Sequence, residues 1–181
     1  MCADSAPEPA APCFTADGGV AIYWHCIGGG TVEFRMRMPA DDAASWIAVG
    51  FSDDQSMPDS DIVLGWAPGA TADAVVADLW AGSGYTMPVL DETRGGRGDA
   101  DAVAARVADG SLELTFRRRV ATNDTWDNRL DQPNYLLFAY GGKVVDPAHP
   151  QSAFTQHRRM GFSAGNVTWS ACTRPHCRPT H

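Results

Sequence analysis

Val32-Glu33-Phe34-Arg35-Met36-Arg37-Met38 alternates apolar and charged residues along its whole length. Successive side chains of an extended chain point to opposite faces. Val32, Phe34, Met36 and Met38 therefore share one face, and Glu33, Arg35 and Arg37 the other. Ser111-Leu112-Glu113-Leu114-Thr115-Phe116 repeats the pattern, with Leu112, Leu114 and Phe116 inside. Further apolar runs lie at 19–24, 46–51, 61–66, 74–80, 135–140 and 166–170. Turn formers separate the runs: Gly28-Gly29-Gly30, Pro39 to Asp42, Pro68-Gly69, Gly95 to Gly98, and Gly141-Gly142. Residues 100–107 fit either a helical turn or a strand. Regular short strands between turn clusters, with no long amphipathic helix, predict an all-β antiparallel sandwich or barrel. Met36 and Met38 belong to its core, and Trp46 and Trp66 are expected to pack between its sheets.

The chain has 181 residues, 44% of them apolar, which suffices for one core of ordinary size. Its 22 acidic and 14 basic side chains leave a net charge of −8. That balance argues against nucleic acid and against anionic membrane surfaces as partners. No run of 18 apolar residues occurs, so no membrane span is expected in this chain. Residues 1–13 read as a flexible Pro/Ala-rich leader, 14–171 as the sandwich domain, and 172–181 as a Cys-containing C-terminal tail.

All five cysteines, Cys2, Cys13, Cys26, Cys172 and Cys177, lie towards the ends of the chain. This crowding points to disulfides that staple the termini, at least one of them involving Cys13 or Cys26, and hence to an oxidising compartment. Sequons at Asn123 and Asn166 agree with a secreted glycoprotein. Met1-Cys2-Ala3-Asp4 has no apolar stretch of the signal-peptide kind, so an excised mature domain is expected.

The sequence has no Cys-x-x-Cys-His haem attachment. Asp53, Asp54, Asp59 and Asp61 share one stretch. They lack the glycine and terminal glutamate of a calcium loop, so a solvated acidic loop is the expectation. Cys172, His176, Cys177 and His181 could supply four zinc ligands, but their spacing is not that of a finger, and a disulfide is preferred. Met57 stands apart, in a polar stretch with no apolar periodicity to require it. A thioether facing an imidazole is a ligand pair that iron in a haem uses for electron transfer. His157 is the candidate partner, with His25 and His149 as competitors.

The stretch Trp46-Ile47-Ala48-Val49-Gly50-Phe51-Ser52, followed by Met57 and by Ser60-Asp61-Ile62-Val63-Leu64-Gly65-Trp66, resembles the signature of DOMON domains, and among them the haem-binding cytochrome type. Ala77-Asp78-Leu79-Trp80, Tyr85-Thr86-Met87-Pro88, Leu114-Thr115-Phe116-Arg117-Arg118, Leu137-Phe138-Ala139-Tyr140-Gly141 and His157-Arg158-Arg159-Met160-Gly161 continue the resemblance, in the family's order. It covers residues 14–170 or so.

The resemblance implies an immunoglobulin-like sandwich holding haem b, with Met57 and His157 at the positions of the axial iron ligands. It implies Arg158 or Arg159 at a propionate, and Tyr85 or Trp80 in the pocket wall. The implied role is an electron-transfer domain of a larger redox protein rather than an enzyme by itself. Its implied partner is a flavin dehydrogenase, a copper monooxygenase or a transmembrane cytochrome. Some members of the family carry no haem. A non-haem module for carbohydrate, which the six Trp residues would suit, is the alternative.

Overall fold

The structure, a computed structural model, describes residues 12–69, 73–146, 153–167 and 169. The leader as far as residue 11, His149, Cys2 and the tail with Cys172, His176, Cys177 and His181 lie outside the described residues. Among the described residues eleven strands follow one another: β1 Phe14–Ala16, β2 Val20–Gly28, β3 Thr31–Pro39, β4 Ser45–Ser52, β5 Asp61–Trp66, β6 Val75–Trp80, β7 Val89–Leu90, β8 Ala100–Ala108, β9 Ser111–Arg119, β10 Tyr135–Lys143 and β11 Arg159–Phe162. A 3-10 turn, Asp91–Arg94, interrupts them. No helix among the described residues is long and apolar enough to cross a membrane.

The strands form two antiparallel sheets, ordered β1-β2-β3-β9-β8 and β11-β10-β4-β5-β6-β7. They pack as the expected immunoglobulin-like sandwich. The alternation in β3 and β9 does what it predicts. Val32, Phe34, Met36, Met38, Leu112, Leu114 and Phe116 are all fully buried between the sheets. Phe34 stacks on Phe116 at 5.0 Å and meets Phe51 of the facing sheet edge-on at 5.6 Å.

Strands β4 and β5 differ, because every residue in them is buried. Ile47, Val49, Phe51 and Val63 face the inter-sheet core. Trp46, Ala48, Ile62, Leu64 and Trp66 face the other way and form a second apolar cluster with Ala77, Leu79 and Phe154. Trp46 and Trp66 are therefore not between the sheets as expected. They lie on the outer face of the six-stranded sheet, which loops cover. With apolar residues at nearly every position of both strands, each face needs shelter, and a sandwich core shelters only one.

Residues 100–107 are strand, in β8. Gly141-Gly142 does not end its strand: β10 runs through the pair with a bulge between Tyr140 and Gly142, and Gly141 takes the left-handed conformation at φ 86°. The histidine segment is not all loop, since Arg159–Phe162 pairs with β10 as an edge strand. The run at 166–170 shows only an isolated bridge from Val167 to Asn134, with residues 168 and 170 outside the described ones.

Candidate functional site

On the outer face of the six-stranded sheet lies a cleft of about 410 Å³. Its floor is set by register. Ala48 pairs with Ala139 and Leu64, Gly50 with Leu137 and Ile62, and Phe138 with Gly161. Small residues at Ala48, Gly50 and Ala139 keep the floor low where β10, β4 and β5 run side by side. Ile62, Leu64, Leu79 and Leu137 complete an apolar lining.

Two polar loops bring in the groups that could bind a metal. The first carries Met57. Its polar residues satisfy one another: Asp54 Oδ1 accepts from the Ser56 amide at 3.0 Å, the Ser56 hydroxyl at 2.6 Å and the Ser52 hydroxyl at 3.2 Å. These hydrogen bonds hold the Asp54 carboxyl below its usual pKa. Ser52 and Ser60 both donate to the Ser56 carbonyl, and Gln55 donates to the Ser163 carbonyl at 2.8 Å. With its hydrogen bonds closed internally, the loop leaves Met57 to pack against the outer cluster and line the cleft.

The second loop carries His157, fastened on both sides. Before it, the Thr155 carbonyl accepts from the Trp46 indole at 3.2 Å, and the Thr155 amide donates to Lys143. After it, the Arg158 amide donates to Tyr140, and Arg158 Nε donates to the Gly141 carbonyl at 3.0 Å. His157 meets Trp46 edge-on at 6.4 Å and lines the cleft. Burial lowers its pKa, which favours the neutral imidazole with a lone pair to offer.

Met57 and His157, 100 positions apart in the chain, thus line one cavity. Tyr85 lines it too, 78% exposed at the rim, beside Met87 and near Met160. Trp80 does not line it and packs on Trp126 instead, ring centroids 5.6 Å apart. Neither Arg158 nor Arg159 is part of the lining: Arg158 pairs with Asp41, and Arg159 is exposed in β11. His25 is elsewhere, 3.8 Å from Glu33 on the five-stranded sheet. The expected acidic loop divides. Asp53, Asp54 and Asp59 are exposed, but Asp61 is fully buried against Arg118 at 2.6 Å. An apolar cleft with a thioether and a neutral imidazole among its walls fits a flat, hydrophobic, iron-bearing group. Ala48, Gly50 and Ala139 are among the lining residues that sequence reasoning did not single out, and Trp46 is one that it placed between the sheets. For Trp46, Ala48 and Gly50 the signal was the lack of alternation in β4.

The structure is similar to the cytochrome domain of Myriococcum thermophilum cellobiose dehydrogenase, with a TM-score of 0.60 and 16% identity, covering 89% of this chain and 86% of that one. The sequence is 30% identical over 142 residues to ferric-chelate reductase 1 of Mus musculus, covering 76% of this chain and 21% of the relative, so the chain spans about a fifth of that protein's length. Residues 16–141, most of the described sandwich and Met57 within it, match the model of the DOMON domain, and the chain belongs to the DOMON family.

Proposed function

We propose that this domain binds a b-type haem in the outer cleft, between Met57 and His157, and serves single-electron transfer. One observation carries the reading: the thioether and the imidazole that could serve as axial ligands line the same apolar cavity. Met57 and His157 would hold such a haem, which would supply a one-electron couple. The chain's own residues do the rest. Met57 offers a soft sulfur that favours ferrous iron. Trp46 and Thr155 hold the histidine segment against the sheet. Tyr85 shields the rim, and Arg158 and Arg159, next to His157, are the cations nearest in sequence for a propionate.

The domain acts as the electron-transfer unit of a larger redox protein. The names of its relatives, a ferric-chelate reductase and a cellobiose dehydrogenase domain, support a redox partner of the flavin dehydrogenase, copper monooxygenase or transmembrane cytochrome kind. We place it outside the cell. In that setting Cys13 or Cys26 would join a disulfide, which peptide mapping without reductant checks.

The test is the absorption spectrum. Protein supplied with haem should show a sharp Soret band and a low-spin Met/His spectrum. Met57→Ala should stay folded and keep haem but lose that spectrum, and its reduction potential should fall because the soft ligand is gone. His157→Ala should lose most of its haem, and His149→Ala should change little. Colourless protein that ignores added haem would sink the reading in favour of a non-haem carbohydrate module.

A further inference from the structure

A second group of potential ligands lies away from the cleft, where β5, β6 and β9 meet. Asp61 opens β5, Asp78 lies in β6, and Asp127 follows β9. Each offers one carboxylate oxygen within 4.8 Å of the other two. The Asp61 and Asp127 side chains are 0% and 2% exposed, and Asp78 is buried.

One cation meets them. Arg118 Nη1 is 2.6 Å from Asp61 Oδ2, and its Nη2 is 3.4 Å from Asp127 Oδ1. Other partners occupy one oxygen of each strand aspartate: the Asn128 amide donates to Asp61 Oδ2 at 2.9 Å and the Asp99 amide to Asp78 Oδ2 at 2.7 Å. Asp61 Oδ1 and Asp78 Oδ1 are buried without a hydrogen-bond partner. An independent observation points to the same spot. Asp91, at the start of the 3-10 turn, is fully buried, and neither of its carboxylate oxygens has a hydrogen-bond partner. Burial, with the charges of Asp78, Asp127 and Asp124 adding to it, pushes its carboxyl up to about 8.

Buried carboxylates are costly unless each negative charge is balanced. Ionised, Asp61, Asp78, Asp127 and Asp91 carry four negative charges against the single positive charge of Arg118, so a divalent ion would offset most of the excess. An all-oxygen carboxylate set on separate segments suits calcium better than zinc or copper. We propose that Asp61, Asp78 and Asp127, with Asp91 beside them, hold one divalent cation of the calcium class, which joins Arg118 in fastening the two sheets together.

The experiment uses the full chain, stripped with chelator and titrated with calcium chloride by calorimetry, alongside thermal melts. One calcium should bind per chain and raise the melting temperature, with magnesium weaker at equal concentration. Asp78→Asn and Asp91→Asn preserve side-chain shape. Each should weaken calcium binding by about tenfold or more, at least the loss usual for a partner one shell further out. Asp53→Asn, in the exposed loop, should bind as wild type does. Loss of binding in either folded variant supports the site. If wild type takes up no calcium on the order of millimolar, or both variants bind it unchanged, the proposal falls.

Discussion

Gly142 sits where β10 passes beneath the Trp46 indole. A Cβ there would run into that ring and lie 2.6 Å from the Thr155 carbonyl. Trp46 and Thr155 are hydrogen-bonded to each other, so neither can step aside without moving the turn that carries His157. Gly142→Ala should therefore cost about 1–3 kcal/mol, the usual range for overpacking, and should weaken haem retention as well. Gly84 has open space around it, and Gly84→Ala should stay within about 0.5 kcal/mol of wild type. Urea denaturation and haem retention measure both variants, and equal behaviour of the two would remove the argument. At this scale Met57 and His157 were legible: an apolar residue without periodicity in a polar loop stands out, and the family resemblance paired it with a histidine. Trp46 was misread because its strand gives no clue to which side of the sheet it faces.

The loop before β5 works as a unit around Asp54. Asp54→Ala removes the acceptor that gathers Ser52 and Ser56, and should cost about 1 kcal/mol, the usual net worth of a hydrogen bond. The larger effect should be on haem, whose loss to an acceptor protein should quicken as Met57 loosens; an unchanged loss rate would show that the loop holds its shape by other means. Legibility among the elements follows exposure. Strands β3 and β9 were read residue by residue, since one face is polar and the other buried. Strands β4 and β5 were readable as strands, but their two buried faces look alike in sequence, so the floor of the cleft was invisible. The short edge strands β7 and β11 carry too few residues for any period to show. The Gly141-Gly142 pair looked like a stop because a bulge and a turn draw on the same residue type.

For the whole molecule, the buried acidic group makes stability depend on pH. Burial, with the other carboxylates adding to it, pushes the Asp78 carboxyl up to about 7 and the Asp91 carboxyl up to about 8, while Arg118 opposes the shift. In the unfolded chain an aspartate titrates near 4, roughly. Between about pH 4 and pH 8 the folded chain holds protons that the unfolded one has released, so stability must fall as pH rises through that window. Asp42 and Asp131 are lowered by Lys143 and Arg129 and act in the opposite sense, but these surface pairs are screened by solvent. In chelator, the urea midpoint should be higher at about pH 5.5 than at about pH 8.5; the reverse order would show that these carboxylates are ionised in the folded chain. The double-sided burial of β4 and β5 also bears on how such a domain can diverge. Ile47, Val49, Phe51 and Val63 answer to the core, and Trp46, Ala48, Ile62 and Leu64 line the cleft. A lineage can rewrite the second set one alternate position at a time while the first stays fixed. The same sandwich can then be inherited as a colourless scaffold or refitted for a different cofactor without inventing a new fold.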